Sequence, residues 1–172
     1  DVVFGKVSPG GKLPITIPRS VGQLPVYYNA KPSARRGYLF DDVTPLFPFG
    51  FGLTYSTFDL DAPTLSRGQI GGTDNVDIAV TIRNTGTRTA DQVVQIYLRD
   101  EEASVTRPVK ELKRFQRVTL AAGASMTVRF TLTPEDLSIW NIDMKRVVEP
   151  GTFTIGAGFD SVELKSVQLK VV

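Results

Sequence analysis

The chain has 172 residues, no cysteine and no histidine, and it sets 20 lysines and arginines against 18 aspartates and glutamates. Those absences exclude a disulfide framework, thiolate metal sites and every Ser-His or Cys-His nucleophile pair. The near balance of charge offers no basic field to a nucleic acid, and no apolar run approaches the roughly 18 residues a membrane helix needs.

The opening "DVVFGKVSPGGKLPITIP" begins without methionine and without a basic-then-apolar leader, and reads as a piece of something longer. It holds one short apolar stretch, a Pro9-Gly10-Gly11 turn and a strand-like Leu13 to Ile17. That is too little apolar surface to offset chain ordering, so this segment is expected to need a host. Residues 19–42 are proline-punctuated and aperiodic, which predicts an irregular surface connection. Within it Lys31, Arg35 and Arg36 form a small basic cluster beside Tyr38. Arg36 and Tyr38 are the residues singled out as an interdomain or saccharide contact.

"TPLFPFGFGLTYSTF", Thr44 to Phe58, follows. Pro48 removes a backbone donor, and Gly50 and Gly52 break any regular face, so it is predicted to be a shaped loop. A loop this aromatic must dock on something. Seven of the eleven prolines precede residue 49, and this shift in composition marks a boundary near residue 58.

Beyond it the sequence alternates. "NVDIAVTIRN", "QVVQIYLRD", "MTVRFTL", "TFTIGAG" and "ELKSVQLKVV" carry the period-two pattern of half-buried strands, separated by turns at Asn84-Thr85-Gly86, Ala122-Gly123, Pro150-Gly151 and Gly158-Phe159-Asp160. Short strands without amphipathic helices between them predict a β-sandwich. "TPEDL" is the exception, with Thr133 as N-cap, Pro134 at the first helical position and two carboxylates in the first turn. Trp140 is expected to pack in the core or at an edge, and the outward strand positions read as polar, with Tyr97 the one aromatic among them. "GQIGGTDN" lacks the lysine and strand-to-helix context of a phosphate loop and reads as a turn.

The carboxylates offer three local groups: Asp41-Asp42 in the connection, Asp100-Glu101-Glu102 after a strand, and Glu135-Asp136 at the helix start. Each is read as a solvated loop, a turn or a helix-dipole partner. Oxygen ligands for calcium stand at Asp41, Asp42, Asp59 and Asp61, but without EF-hand spacing, so no metal and no cofactor is expected.

"DVVFGKVSPGGKLPITIPRSVGQLPVYYN", then "RGYLFDDVTPLFPFGFGLTYSTF", closely resembles the C-terminal part of family 3 glycoside hydrolases, the bacterial β-glucosidase and β-xylosidase group. "NTGTRTADQVVQIYLRD", "ASVTRPVKELKRFQRVTL", "TVRFTLTPEDL" and "VVEPGTFTIGAG" continue the match in order. The resemblance implies a mainly β fold: residues 1–18 end an α/β sandwich domain, 19–57 form an interdomain connection with its aromatic loop, and 58–172 form a fibronectin type III-like, immunoglobulin-like β-sandwich. It implies that the loop docks on both neighbours, and that the partners are an N-terminal barrel and the α/β sandwich of a parent enzyme acting on β-linked saccharides. Many relatives carry histidine or tyrosine where Phe51 stands, so no polar contact is carried over to that position.

A retaining glycosidase needs two carboxylates about 5–5.5 Å apart. In the family they lie in the barrel and in the sandwich domain ahead of this segment, so the chain is expected to be structural and interdomain, inactive alone, in a periplasmic or secreted parent. Two other readings stand beside this one. The chain is a free-standing carbohydrate-binding or adhesion module, marked by a row of exposed aromatics, or its connecting loop reaches the substrate pocket of its own enzyme.

Overall fold

The computed structural model describes residues 1–32 and 42–172. The strands begin at Phe58. β1 (Phe58–Leu60), β2 (Thr64–Leu65) and β3 (Gln69–Ile70) are short, β4 (Val76–Asn84), β5 (Ala90–Asp100), β6 (Glu111–Leu120) and β7 (Ser125–Leu132) are long, and a one-turn helix α1 (Pro134–Leu137) follows. A small ribbon of β8 (Ile139–Trp140) and β9 (Arg146–Val147) precedes the last long strands, β10 (Gly151–Gly158) and β11 (Leu164–Val171).

Two sheets stack face to face. In one, β4 is central, with β7 on one side and β1 and β2 on the other. The second runs β3-β11-β10-β5-β6, antiparallel except where β3 pairs parallel with β11. Alternation decides the packing. Val76, Ile78, Val80 and Ile82 of β4 point inward together and meet Ile96, Leu98, Phe153 and Ile155 from the second sheet, all essentially removed from water. The chain is mainly β, as expected.

The helical turn forms as its sequence predicts. The Thr133 N–H and hydroxyl both donate to Asp136 Oδ2, at 2.8 and 3.0 Å, and Arg114 clamps the same carboxylate from β6 at 2.8 and 2.6 Å. Strand β6 has no sequence signal as clean. It is an edge strand whose first seven residues are half-buried or exposed, so "ELKRFQR" carries charge where an inner strand would alternate.

Trp140 departs from expectation. It sits on the β8–β9 ribbon, 61% exposed, and is no part of the core.

Candidate interdomain surface

Strand β5 should have one polar face, yet its Gln92 and the whole run Val94–Leu98 are buried. The first 57 residues explain this by covering the outer face of the second sheet. Gln95, expected to face water, donates through Nε2 to the carbonyls of Gly50 (3.1 Å) and Phe159 (2.6 Å) and accepts from the Tyr97 hydroxyl (2.6 Å). Tyr97 is therefore a buried anchor. Burial holds its phenol protonated well above the usual tyrosine range, with the neighbouring Tyr28 adding to the effect.

The aromatic loop is built to reach this spot. Gly50 sits at φ 80°, and a Cβ there would lie 2.2 Å from Gln95 Oε1, so only glycine lets the backbone touch the strand. Phe49 stacks on Tyr28 at 4.1 Å, and Tyr28 meets Tyr97 edge-on at 6.0 Å. The strand-like Leu13–Ile17 pairs back on the loop: Leu13 N–H donates to Phe51 O and Gly50 N–H to Leu13 O, both at 2.8 Å, and Ile17 bridges Phe47.

A second anchor lies at the turn after β4. Asn84 is fully buried: its Nδ2 donates to Arg88 O (2.8 Å) and Leu120 O (2.9 Å), and its Oδ1 accepts from Ser56 Oγ (2.6 Å) and the Gly86 N–H (3.0 Å). Arg88 in turn donates to Gly5 O, and the Tyr55 hydroxyl to Val2 O (2.8 Å). Every polar atom of this hub has a partner, as burial requires.

The described part of the first 57 residues has no core. Among the described ones only Gly50 and Ser56 are buried. Twelve of the nineteen large apolar side chains exposed among the described residues belong to this segment, with Val3 and Phe4 at 86% and 85%. An apolar surface of that extent, on a backbone pinned at two anchors, has the character of an interface.

Arg36 and Tyr38 lie outside the described residues, as do Arg35 and Asp41. Asp42, Asp100, Glu101, Glu135 and Asp136 are structural in their contacts. Asp42 accepts from the Thr44 N–H and hydroxyl, Glu101 pairs with Arg99 at 3.0 Å, and Glu135 with Arg146 at 2.8 Å. Arg107 bridges Asp100 (3.1 Å) and Glu111 (2.7 Å), so these two carboxylates share a guanidinium rather than a substrate gap. Burial pushes the Asp100 carboxyl up, with Arg107 opposing. Burial opposes ionisation at Asp136 too, but the Thr133 N–H and Arg114 outweigh it and hold that group low. Asp59 and Asp61 are exposed, and among the described residues no three acidic groups gather as metal ligands would. Sequence reasoning missed Phe115, 68% exposed on the outer face of β6.

This arrangement, a sandwich with a coreless apolar segment folded along one face, recurs in known proteins. The Glycosyl hydrolase family 3 C-terminal domain matches residues 1–55, and the Fibronectin type III-like domain matches residues 92–161. The chain belongs to the C-terminal region of the family 3 glycosyl hydrolases. A β-xylosidase of Formosa agariphila is 49% identical over 99% of this chain, and a periplasmic β-glucosidase of Salmonella typhimurium is 44% identical over 96% of it. A solved β-glucosidase from Erythrobacter marinus superposes with a TM-score of 0.96 at 48% identity, over 99% of this chain and 23% of that one. The family 3 segment described here spans about a quarter of its curated relatives, 24% and 23% of the two named. In those relatives the same region is joined to further domains.

Proposed function

We propose that this chain is the structural, interdomain C-terminal part of a β-glycosidase acting on β-glucosides or β-xylosides, and that the carboxylates of catalysis belong to the rest of that enzyme. The observation that carries the reading is the coreless first 57 residues, anchored on the sandwich and apolar on their free side. In this reading residues 1–18 complete an α/β sandwich, 19–57 connect, and 58–172 hold the connection in place from behind. The aromatic loop then has two hosts, one visible at Gln95 and Tyr97 and the other supplied by the parent. Arg36 and Tyr38 fall in sequence between Tyr28 and Phe49, and are proposed as contacts to the parent domains or its saccharide. The periplasmic relative supports a periplasmic or secreted parent.

Complementation tests this directly. The 172-residue chain alone is expected to show no hydrolysis of aryl β-glucosides or β-xylosides. Co-expressed with the remaining domains of a parent enzyme, it is expected to co-purify with them and restore turnover. Turnover by the isolated chain, or failure of the two pieces to associate while both are folded, would reject the reading.

A further inference from the structure

The β8–β9 ribbon carries a tip that the sandwich does not use. Ile142 and Met144 are 87% and 75% exposed, beside Trp140. The tip is nonetheless rigidly built. Asn141 Oδ1 accepts from the N–H groups of Asp143 (3.1 Å) and Lys145 (3.0 Å), and Asn141 N–H donates to Lys145 O at 3.0 Å. Met144 is held at φ 56°, a conformation unfavourable for any residue with a Cβ. A turn that holds a strained residue in order to present two apolar side chains to water has the form of a docking element. Between those side chains stands Asp143, whose carboxylate has no hydrogen bond or ion pair among the described residues.

The complement lies elsewhere on the same chain. A groove of about 310 Å³ between the first segment and the outer face of β5 and β6 is lined by Gly11, Lys12, Leu13, Phe49, Leu112 and Phe115, among others, none of them from the ribbon. Its one half-buried ammonium, that of Lys12, has no carboxylate within ion-pair distance among the described residues. Burial lowers the basicity of this lysine, and the more distant Asp160 offsets that only in part. Asp143 at the apolar tip and Lys12 in the apolar groove, each without an ion-pair partner among the described residues, are thus complementary in charge, and the groove's other cation, Arg117, is already paired with Asp91.

We propose that the β8–β9 ribbon of one copy seats in the Lys12 groove of a second copy, with Ile142 and Met144 against Leu13, Leu112 and Phe115 and with Asp143 meeting Lys12. Reciprocal seating closes a two-fold dimer with two such contacts.

Sedimentation equilibrium of the 172-residue chain tests this. A concentration-dependent dimer is expected, weakened roughly tenfold or more by Asp143→Lys or by Lys12→Glu, and restored to within about threefold when both are combined. Ile142→Asp, at a fully solvated position where folding is not at risk, is expected to weaken it as well. Zero-length carbodiimide coupling of mixed light and ¹⁵N-labelled chains should join Lys12 to Asp143 in peptides of mixed mass. A chain that stays monomeric at every concentration, or a dimer that none of these substitutions weakens, would overturn the proposal. Its failure would leave the complementation result above untouched.

Discussion

The sandwich and the segment that precedes it are made from similar fractions of apolar side chains put to opposite uses. From Phe58 onward the alternating residues face one another across two sheets, and side chains such as Phe153, Ile155 and Leu132 are sealed from water. Before Phe58, phenylalanines, valines and leucines lie along an irregular backbone whose only buried residues, among those described, are a glycine and a serine. The lesson is that apolar content does not make a core. Periodicity does, because it sends the side chains of many strands to one side.

The contrast is sharpest for stability. Phe153→Ala should cost about 3–5 kcal/mol of unfolding free energy, since it opens a cavity that the two sheets cannot close. Val3→Ala or Phe4→Ala should change the same quantity, measured by urea titration of the isolated chain, by no more than about 0.5 kcal/mol. An equal loss at both places would erase the distinction between the two regions.

Between these extremes stand the anchors. Asn84→Ala takes the amide donor from the buried Leu120 carbonyl and the amide acceptor from the Gly86 N–H, leaving the Ser56 hydroxyl only Arg88 O, and should cost about 1–3 kcal/mol. Gly50→Ala should act locally. Its Cβ collides with Gln95, so amide protection is expected to fall by about 1–3 kcal/mol around residues 46–51 while the long strands β4 and β10 keep theirs. Uniform loss of protection would show that the segment and the sandwich unfold as one unit.

The smallest effects are in the pH dependence. The folded state raises the pKa of Tyr97, so above about pH 10 the unfolded chain releases a proton that the folded chain retains. Stability therefore declines as pH rises beyond that point, and Tyr97→Phe should flatten the decline. Asp136 has the opposite sign. Its folded pKa is depressed, so its contribution is present above about pH 4 and is lost as pH falls below that value. In Asp136→Asn the acid limb of the stability curve should become shallower.

Much of the sandwich was legible in the sequence because a half-buried strand writes its own pattern. β4, β7 and β10 show it plainly, and Thr133-Pro134 announces the helical turn. Two features were not legible, each for a physical reason. Strand β6 is an edge, where charged residues keep neighbouring chains away and blur the alternation. Gln95 and Tyr97 read as surface positions because alternation shows which side chains share a face, and it carries no information about what covers that face. The aromatic loop advertised a docking role through composition alone, but its partner on β5 came from Gly50, whose missing Cβ is what permits the approach. Trp140 was assigned to packing by the habit of its residue type, and the ribbon carries it into solvent instead.

The pairing of β11 has a consequence for biosynthesis. Strand β3, at residues 69–70, finds its one sheet partner among the described residues at residues 170–171, and β10 holds β11 along its full length. A ribosome delivers β11 after every other strand of this fold. Until then the second sheet lacks a member and β10 presents an unpaired backbone edge. Arrival of this eight-residue strand pairs that edge and, through residues 170–171, gives β3 its place in the sheet.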